Sequence, residues 1–535
     1  MSNATPAEIS TTSRPSDRLV ITASSLGTMF EWYDFFLYGT LAMLLGTLFF
    51  PSENPTAALL ASLATFGAGF GVRPLGAVLF GVLGDKVGRK YTFLVTLTLM
   101  GVSTAAVGLL PTYATAGIWA PILLVSLRLL QGLALGGEYG GAAVYVAEHA
   151  PPGKRGFYTG WIQASVVGGF VLSLGVVAAV RLSMSQQAFE SWGWRIPFLL
   201  SIIMLAISLY VRLKLRESPV FQAMKAKGET AKAPLRESFS TWGKTGTIIA
   251  AMIGIAAGFT VIWYTAQFAT LGLLKQVALL DDLTATGVNA AAQIAAMPFC
   301  ILFGALSDRI GRKKVMLTGY ALTLLLLFPL FKQITHHANP ELSAAMAAAP
   351  VRISGQDCVF DVWAKKQASP CAQALSFLTT RGIAYQVSSE PAISGTAASV
   401  TLKVGAATVQ GFDAAKYAEA LNKTGYPSKS NPATRNLTLT VLCIFALSLL
   451  SAMTYAPVAA YMVELFPARV RYTSMSIPYH VGTGYFGGFL PLVSSYMAAK
   501  SGDPFAGLYY TLSVVAVAFV VCLVFLPETH RRAID

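Results

Sequence analysis

Charge is what this sequence has least of. Only 12% of its 535 residues are Asp, Glu, Lys or Arg, 54% are hydrophobic and the mean hydropathy is +0.58, whereas about a quarter of an average soluble domain is charged. A chain so poor in charge cannot cover the water-facing surface of a globule of this length. Five cysteines and five histidines are scattered along it, and no HExxH, GxxxxGK[ST] or paired CxxC occurs. Zinc hydrolysis, phosphate binding and zinc clusters need those patterns. An enzyme is therefore not expected, and no catalytic residue, metal or cofactor is assigned.

Long apolar runs are abundant. Twelve of them begin near Val20, Ala57, Tyr91, Ile118, Phe157, Trp194, Gly246, Leu283, Lys314, Asn436, Thr473 and Phe505. Each is roughly twenty residues, enough to cross the hydrocarbon core as a helix. The polar opening leads into the first run without a small-residue cleavage pattern, so that run reads as a retained helix rather than a signal peptide. The expected fold class is an all-α polytopic membrane protein.

The net charge of +14 raises the question of nucleic acid, and the positions of the basic residues answer it. With both termini cytoplasmic, short inside segments hold Arg14 and Arg18, Lys86 to Lys90, Lys154 and Arg155, a basic linker ending at Lys244, Arg309 to Lys314, Arg469, Arg471, Arg531 and Arg532. Short outside segments hold only Arg181, Arg195, Lys275 and Lys500. This is the positive-inside bias of a plasma-membrane protein, bacterial inner membrane by expectation, with lipid as its surroundings and no nucleic-acid partner.

The chain repeats itself. GVLGDKVGRK at residues 81–90 recurs as GALSDRIGRK at residues 304–313, and the Glu148 and Arg155 pair recurs as Glu464 and Arg471 with the same spacing. The offset between copies grows along the chain, so an insertion of roughly ninety residues entered the second half. The expected organisation is a cytoplasmic tail (1–19), a six-helix half (20–213), a cytoplasmic linker (214–245), three helices (246–332), an extracytoplasmic insertion (333–435), three helices (436–526) and a cytoplasmic tail (527–535). The insertion reads as a small α+β cap, with strand alternation over residues 398–409 and helical spacing over residues 414–422. On the oxidising side of the membrane, Cys358 and Cys371 are placed to form a disulfide. Cys300, Cys443 and Cys522 fall singly in apolar runs and read as small hydrophobes.

The repeated decapeptide, with FEWYDFFLYG (30–39), GVRPLGA (71–77), RLLQGLALGGEYGGA (128–142) and ELFPARVRYTSMS (464–476), resembles the major facilitator superfamily and, within it, the metabolite:proton symporter family. The resemblance implies twelve helices in two homologous halves alternating around a central site, with a small organic solute and protons as partners. It also implies osmolytes, dicarboxylates, tricarboxylates or aromatic and alicyclic acids as the range of solutes. A monomer is expected.

Ionisable groups at membrane depth mark function by default. Glu31, Asp34 and Tyr38 share one helical face, Arg73 stands level with Glu31, and Arg128 lies nearer Asp34 in depth than Glu138 does. Pairing of Glu31 with Arg73 and of Asp34 with Arg128 is expected, the second supported by the matching pair in related sugar porters. Three carboxylates against two guanidiniums leave one negative charge uncompensated unless a carboxyl takes up a proton. Asp34 is the first choice for that proton, followed by Glu138 and Glu31, and an arginine so released would hold a substrate carboxylate. The competing reading is a fixed salt-bridge network that only holds helices together.

In the second half, Tyr264, Gln267, Gln293 and Tyr455 are candidate substrate contacts, although packing explains any single aromatic as well. His480 reads as a hydrogen-bonded packing residue ahead of a proton relay. Asp85, Arg89, Glu148, Arg155, Asp308, Arg312, Glu464 and Arg471 form a breakable latch between cytoplasmic helix ends. The functional expectation is proton-coupled uptake of a small organic solute, most simply an organic acid. A uniporter or exporter of the same fold, and a receptor-like protein signalling through the insertion, stay open.

Overall fold

The computed structural model describes residues 17–87, 89–137, 139–213, 233–388 and 400–532. Residues 1–16 of the expected tail 1–19, most of the linker and Glu138 lie outside them, as do the side chains of Asp85 and Arg89.

Twelve spans follow one another because an apolar run in lipid has no partner for its backbone polar groups other than itself. Among the described residues, eight helices are long and apolar enough to cross a membrane. They are span 2 (Pro55–Phe80), span 4 (Trp119–His149), span 5 (Arg155–Leu182), span 7 (Trp242–Val277), span 8 (Asp282–Ile310), span 9 (Arg312–Ala338), span 10 (Leu437–Leu465) and span 12 (Gly507–Phe525). Two more are bent pairs: span 1 (Ser25–Thr40 with Ala42–Phe49, bent by 59°) and span 6 (Gln186–Gly193 with Arg195–Tyr210, bent by 44°). Span 3 is Arg89–Leu109, and span 11 runs through Arg471–Val481, Gly482–Gly488 and Leu490–Ser501.

Polar side chains placed ahead of the apolar runs start several of these helices. Asn54 accepts from the Thr56 amide ahead of Pro55, Asp281 from the Thr284 amide, and Asn436 from the Leu439 amide, each satisfying an amide that the first turn leaves without a partner. Span 2 is interrupted at Val72 and resumes at Arg73, where Pro74 lacks the N–H that would continue the ladder.

The halves meet closely where side chains are absent. Gly156 of span 5 and Gly304 of span 8 face each other so tightly that a Cβ on either would overlap the other's carbonyl oxygen. That contact sits at the end of the bundle carrying the repeated decapeptide. At the opposite end, Arg181 of span 5 pairs with Asp282 of span 8, which also holds Lys275 at 3.1 Å.

The insertion folds as α+β. Span 9 continues to Ala338, six residues beyond its expected end, because Ile334, Thr335 and Ala338 stay buried before Asn339 caps the following helix. Helix Pro340–Ala348 leads to β1 (Val351–Ser354), helix Pro370–Thr380, β2 (Tyr385–Ser388), β3 (Thr401–Val404), β4 (Ala407–Gln410) and helix Ala414–Lys423. The sheet order is β2-β1-β3-β4, with β1 parallel to β2 and antiparallel to β3. Where alternation suggested one strand over 398–409, the described part is a hairpin. Gly405, at φ 56°, supplies the left-handed turn that breaks the run in two. Phe377, Phe412 and Tyr417 pack edge to face beneath the sheet, and Cys358 is bonded to Cys371.

Alkylation of the denatured, unreduced protein should therefore label Cys300, Cys443 and Cys522 only, with two further labels after reduction. Closing the loop across a sequence separation of 13 is worth about 3 kcal/mol by chain entropy. The Cys358→Ser, Cys371→Ser variant should lose hydrogen-exchange protection in helix Pro370–Thr380 while the spans keep theirs.

Candidate functional site

Two arginines lie at the centre of the first half, both without solvent exposure. The Arg73 guanidinium sits 5.0 Å from the Phe70 ring centroid and 5.4 Å from that of Trp32. Among the described residues, none of its three nitrogens has a hydrogen-bond acceptor. Tyr139, Tyr264, Tyr455 and Tyr479, from spans 4, 7, 10 and 11, are its electrostatic neighbours. Arg128 donates from Nη1 to Gln131 Oε1 at 2.6 Å, and Gln131 in turn donates to Thr104 at 2.8 Å. Its guanidinium lies over Phe35, Tyr38 and Phe66 at 4.3, 4.7 and 5.4 Å, while Nε and Nη2 have no partner among the described residues.

Neither expected ion pair of the first half is formed among the described residues. The Ser201 hydroxyl of span 6 donates to Asp34 Oδ1 at 2.5 Å, and Oε1 of buried Glu31 has no partner among the described residues. The reason is helical geometry. Phe35 lies about 100° around span 1 from Asp34, and it is Phe35, with Tyr38, that meets Arg128. Tyr38 also lies 3.2 Å from the Ser62 hydroxyl. Glu138 lies outside the described residues.

In the second half, Gln267 donates to Gln293 Oε1 at 2.8 Å, and Asn289 donates to the Gln267 carbonyl at 3.2 Å. Trp263, Gln267, Gln293 and Tyr455 line a void of about 10 Å³, room for about one water. Tyr455 stacks on Phe259 at 4.9 Å, and the Tyr264 hydroxyl has no partner among the described residues. His480 is fully buried, but neither ring nitrogen is hydrogen-bonded among the described residues. Of its expected role, the burial is seen and the hydrogen bond is not found among the described residues; its ring lies perpendicular to that of Tyr479 at 5.3 Å.

An aromatic plug joins the halves above this centre. Phe36 stacks on Trp263 at 4.9 Å, and Phe268 meets Phe66 at 5.4 Å, Phe170 at 5.0 Å and Tyr264 at 5.6 Å. Span 7 carries π-helical segments at Met252–Ala257, Thr265–Ala269 and Leu273–Val277, and span 11 one at Gly482–Gly488. Such segments recur at functional sites, where a helix must shift its side chains. Beyond the plug, toward the insertion, opens a cavity of about 300 Å³ whose floor is Gly39, Phe66 and Phe268.

The decapeptide end is closed. Arg312 is held at 3.0 Å by Glu464 and at 2.6 Å by Asp308. Asp308 accepts from the amides of Gly156 and Phe157, both at 2.8 Å, at the positive end of span 5. The two repeated Glu and Arg pairs exchange partners across the halves: Arg471 bonds Glu148 at 3.2 Å, and Arg155 lies 3.6 Å from Glu464. Ser201, Gln131 and, of the rings around the arginines, Trp32, Phe35, Phe66 and Phe70 escaped the sequence reading, whereas Tyr38 was among its candidates. Only Gln131, three residues from Arg128, left a readable signal.

Reversing Arg471 to Glu should open this end, because removing one partner of a buried pair costs about 3 to 5 kcal/mol. Double electron-electron resonance between labels on spans 4 and 10 should report a longer distance, and the double exchange Glu148→Arg, Arg471→Glu should restore the closed one.

The family model for the sugar (and other) transporter matches residues 19–245. The proline/betaine transporter of Salmonella typhimurium is 37% identical over 323 residues, covering 59% of this chain and 64% of the relative. The inner membrane metabolite transport protein YhjE of Escherichia coli K12 is 38% identical over 350 residues, covering 63% and 77%. The shikimate transporter of the same strain is 39% identical over 318 residues, covering 58% and 70%. This chain thus spans somewhat under two thirds of the length of the proline/betaine transporter it matches. The solved structure of the proton:xylose symporter XylE bound to 6-bromo-6-deoxy-D-glucose matches with a TM-score of 0.62 at 16% identity, over 96% of each chain. At that identity the likeness is one of fold.

Proposed function

The chain belongs to the major facilitator superfamily, in its metabolite:proton symporter family, and from that premise we propose that it takes up a small carboxylate-bearing solute together with protons by alternating access. The reading rests on one observation above the others: Arg73 is fully buried and its guanidinium has no acceptor among the described residues. Taking a cation out of water costs several kcal/mol, and a desolvated aromatic face returns on the order of 2 kcal/mol. A forked hydrogen-bond pair from a carboxylate is the strongest interaction still open to it. Proline, betaine and shikimate, for which relatives are named, each carry one carboxylate.

In this reading Arg73 holds the carboxylate, Arg128 and Tyr38 supply the second positive wall, and Tyr264, Gln267, Gln293 and Tyr455 face the body of the solute. Asp34 carries the proton. A buried carboxylate with one hydroxyl donor and, among the described residues, no cation within ion-pair distance is costly as an anion, and protonation removes the charge. Glu138 and Glu31 follow as alternatives. The decapeptide end is cytoplasmic, the insertion periplasmic, and this conformation faces outward with its latch closed. The protein works as a monomer in the bacterial inner membrane.

Radiolabelled uptake of proline, betaine and shikimate into proteoliposomes, with and without an inward proton gradient, tests the proposal. Asp34→Asn should abolish gradient-driven accumulation and keep counterflow. Arg73→Gln should raise KM for the carboxylate about tenfold to a hundredfold, the loss of a charge-assisted bond of about 1.5 to 3 kcal/mol. Uptake indifferent to the gradient and to Asp34→Asn would leave a facilitator in place of a symporter.

A further inference from the structure

The sequence repeat that defines the two halves lies outside residues 333–435, yet the insertion reaches into the cavity between them. The end of helix Pro370–Thr380 and the turn after it place Thr379, Thr380, Gly382 and Ile383 in the cavity wall, beside spans 1, 2, 7 and 11. One side of this chamber therefore belongs to neither half of the repeat.

That wall is anchored on both sides. From the first half, Asn54 Nδ2 donates to the carbonyls of Val362 at 3.3 Å and Ala364 at 3.0 Å. Those carbonyls lie in the loop that the Cys358 and Cys371 disulfide closes, and Cys371 is the second residue of the wall helix. From the second half, the Gly502 carbonyl accepts from the Tyr385 amide at 3.0 Å. Gly382, at φ 64°, lies against span 7, where a Cβ would come within 2.9 Å of Val277 Cα. The chain thus passes the cavity at a depth its own backbone sets.

We propose that the insertion is a size-selective wall of the entrance chamber, with Thr380 and its neighbours as specificity-determining residues that limit which solutes reach the aromatic plug. A chamber of about 300 Å³ is at the small end of ligand pockets, and the wall narrows it with two threonines and an isoleucine. The ligand class admitted is small, polar or zwitterionic, and no larger than a single ring. This rests on reading the cavity as the entrance of the transport path, so its test uses no transported solute.

Ser495 of span 11 lines the same cavity. In detergent-solubilised full-length protein carrying Ser495→Cys, labelling rates are measured with a small methanethiosulfonate and with a maleimide bearing a polyethylene glycol chain, after subtracting labelling of the parent chain. Thr380→Trp should slow the bulky reagent at least about tenfold, a barrier increase of about 1.4 kcal/mol. Thr380→Ala, and separately the Cys358→Ser, Cys371→Ser pair, should raise the bulky-to-small rate ratio several-fold. The alanine variant removes atoms only, so it carries the test if the tryptophan variant fails to fold. A ratio that stays within about twofold of the parent in the folded variants overturns the proposal. Failed uptake with an intact labelling pattern would count against the transport reading and leave the wall standing.

Discussion

The exchange of partners at the decapeptide end is the interaction on which the rest of this conformation depends. Glu148, Arg471, Glu464 and Arg312 are nearly stripped of solvent, so their attraction is not diluted as it would be on a surface. Each half completes the other's charge, and a partner pulled away would leave an ion buried without compensation. The end therefore closes as a unit. Asp308 adds a neutral-backbone component by taking two amides of span 5, and the glycines at 156 and 304 let those helices come close enough for it. With one end drawn together, the space between the halves opens at the other end, where the cavity lies.

Between the latch and the cavity, aromatic rings do what ion pairs were expected to do. Among the described residues Arg73 meets rings and no acceptor, and a charge held over rings lacks the directed geometry of a salt bridge. The rings also block the path. Phe268 seats against Gly39, where a Cβ would meet its ring, and the central void holds about 10 Å³. Phe268 and Trp263 both sit on the span that carries three π-helical segments.

Much of this was legible before any coordinates. Apolar length placed all twelve spans within a few residues, apart from span 6, whose bend at Trp194 hides an outer piece beginning at Gln186. The second copy of the decapeptide carries Asp308 and Arg312, which meet Glu464 and the start of span 5, and the changing offset between repeats pointed to the stretch that folds as the α+β insertion. What stayed hidden depends on rotation about helix axes. Depth counting put Arg73 level with Glu31 and Arg128 nearer Asp34 than Glu138 is, but it carries no information on which neighbour each side chain faces, and Ser201 is one of many serines in apolar runs. The hairpin at Gly405 escaped because alternation continues through the turn. For the Glu and Arg pairs the reading reached as far as contact between cytoplasmic helix ends; equal spacing in each half carries no information on which acid meets which base, and that Arg471 takes Glu148 while Arg155 nears Glu464 is seen in the structure alone.

Span 1 ties these separate contacts together. Within two turns, Trp32 touches Arg73, Asp34 takes the Ser201 hydroxyl, Phe35 and Tyr38 cover Arg128, and Phe36 stacks on Trp263 across the halves. A change in the charge of Asp34 alters what its environment in span 6 can hold, and the helix cannot adjust there without moving the other four. Both guanidiniums and the plug would then feel the proton through one rigid element, with no ion pair between acid and base required. The 59° bend after Thr40 separates that element from the outer piece of span 1, so the segment can turn without carrying the cavity's outer wall with it. On the proposed reading, coupling is then a matter of helix geometry: the residue proposed to take the proton and the rings that cover the two arginines lie within the same two turns.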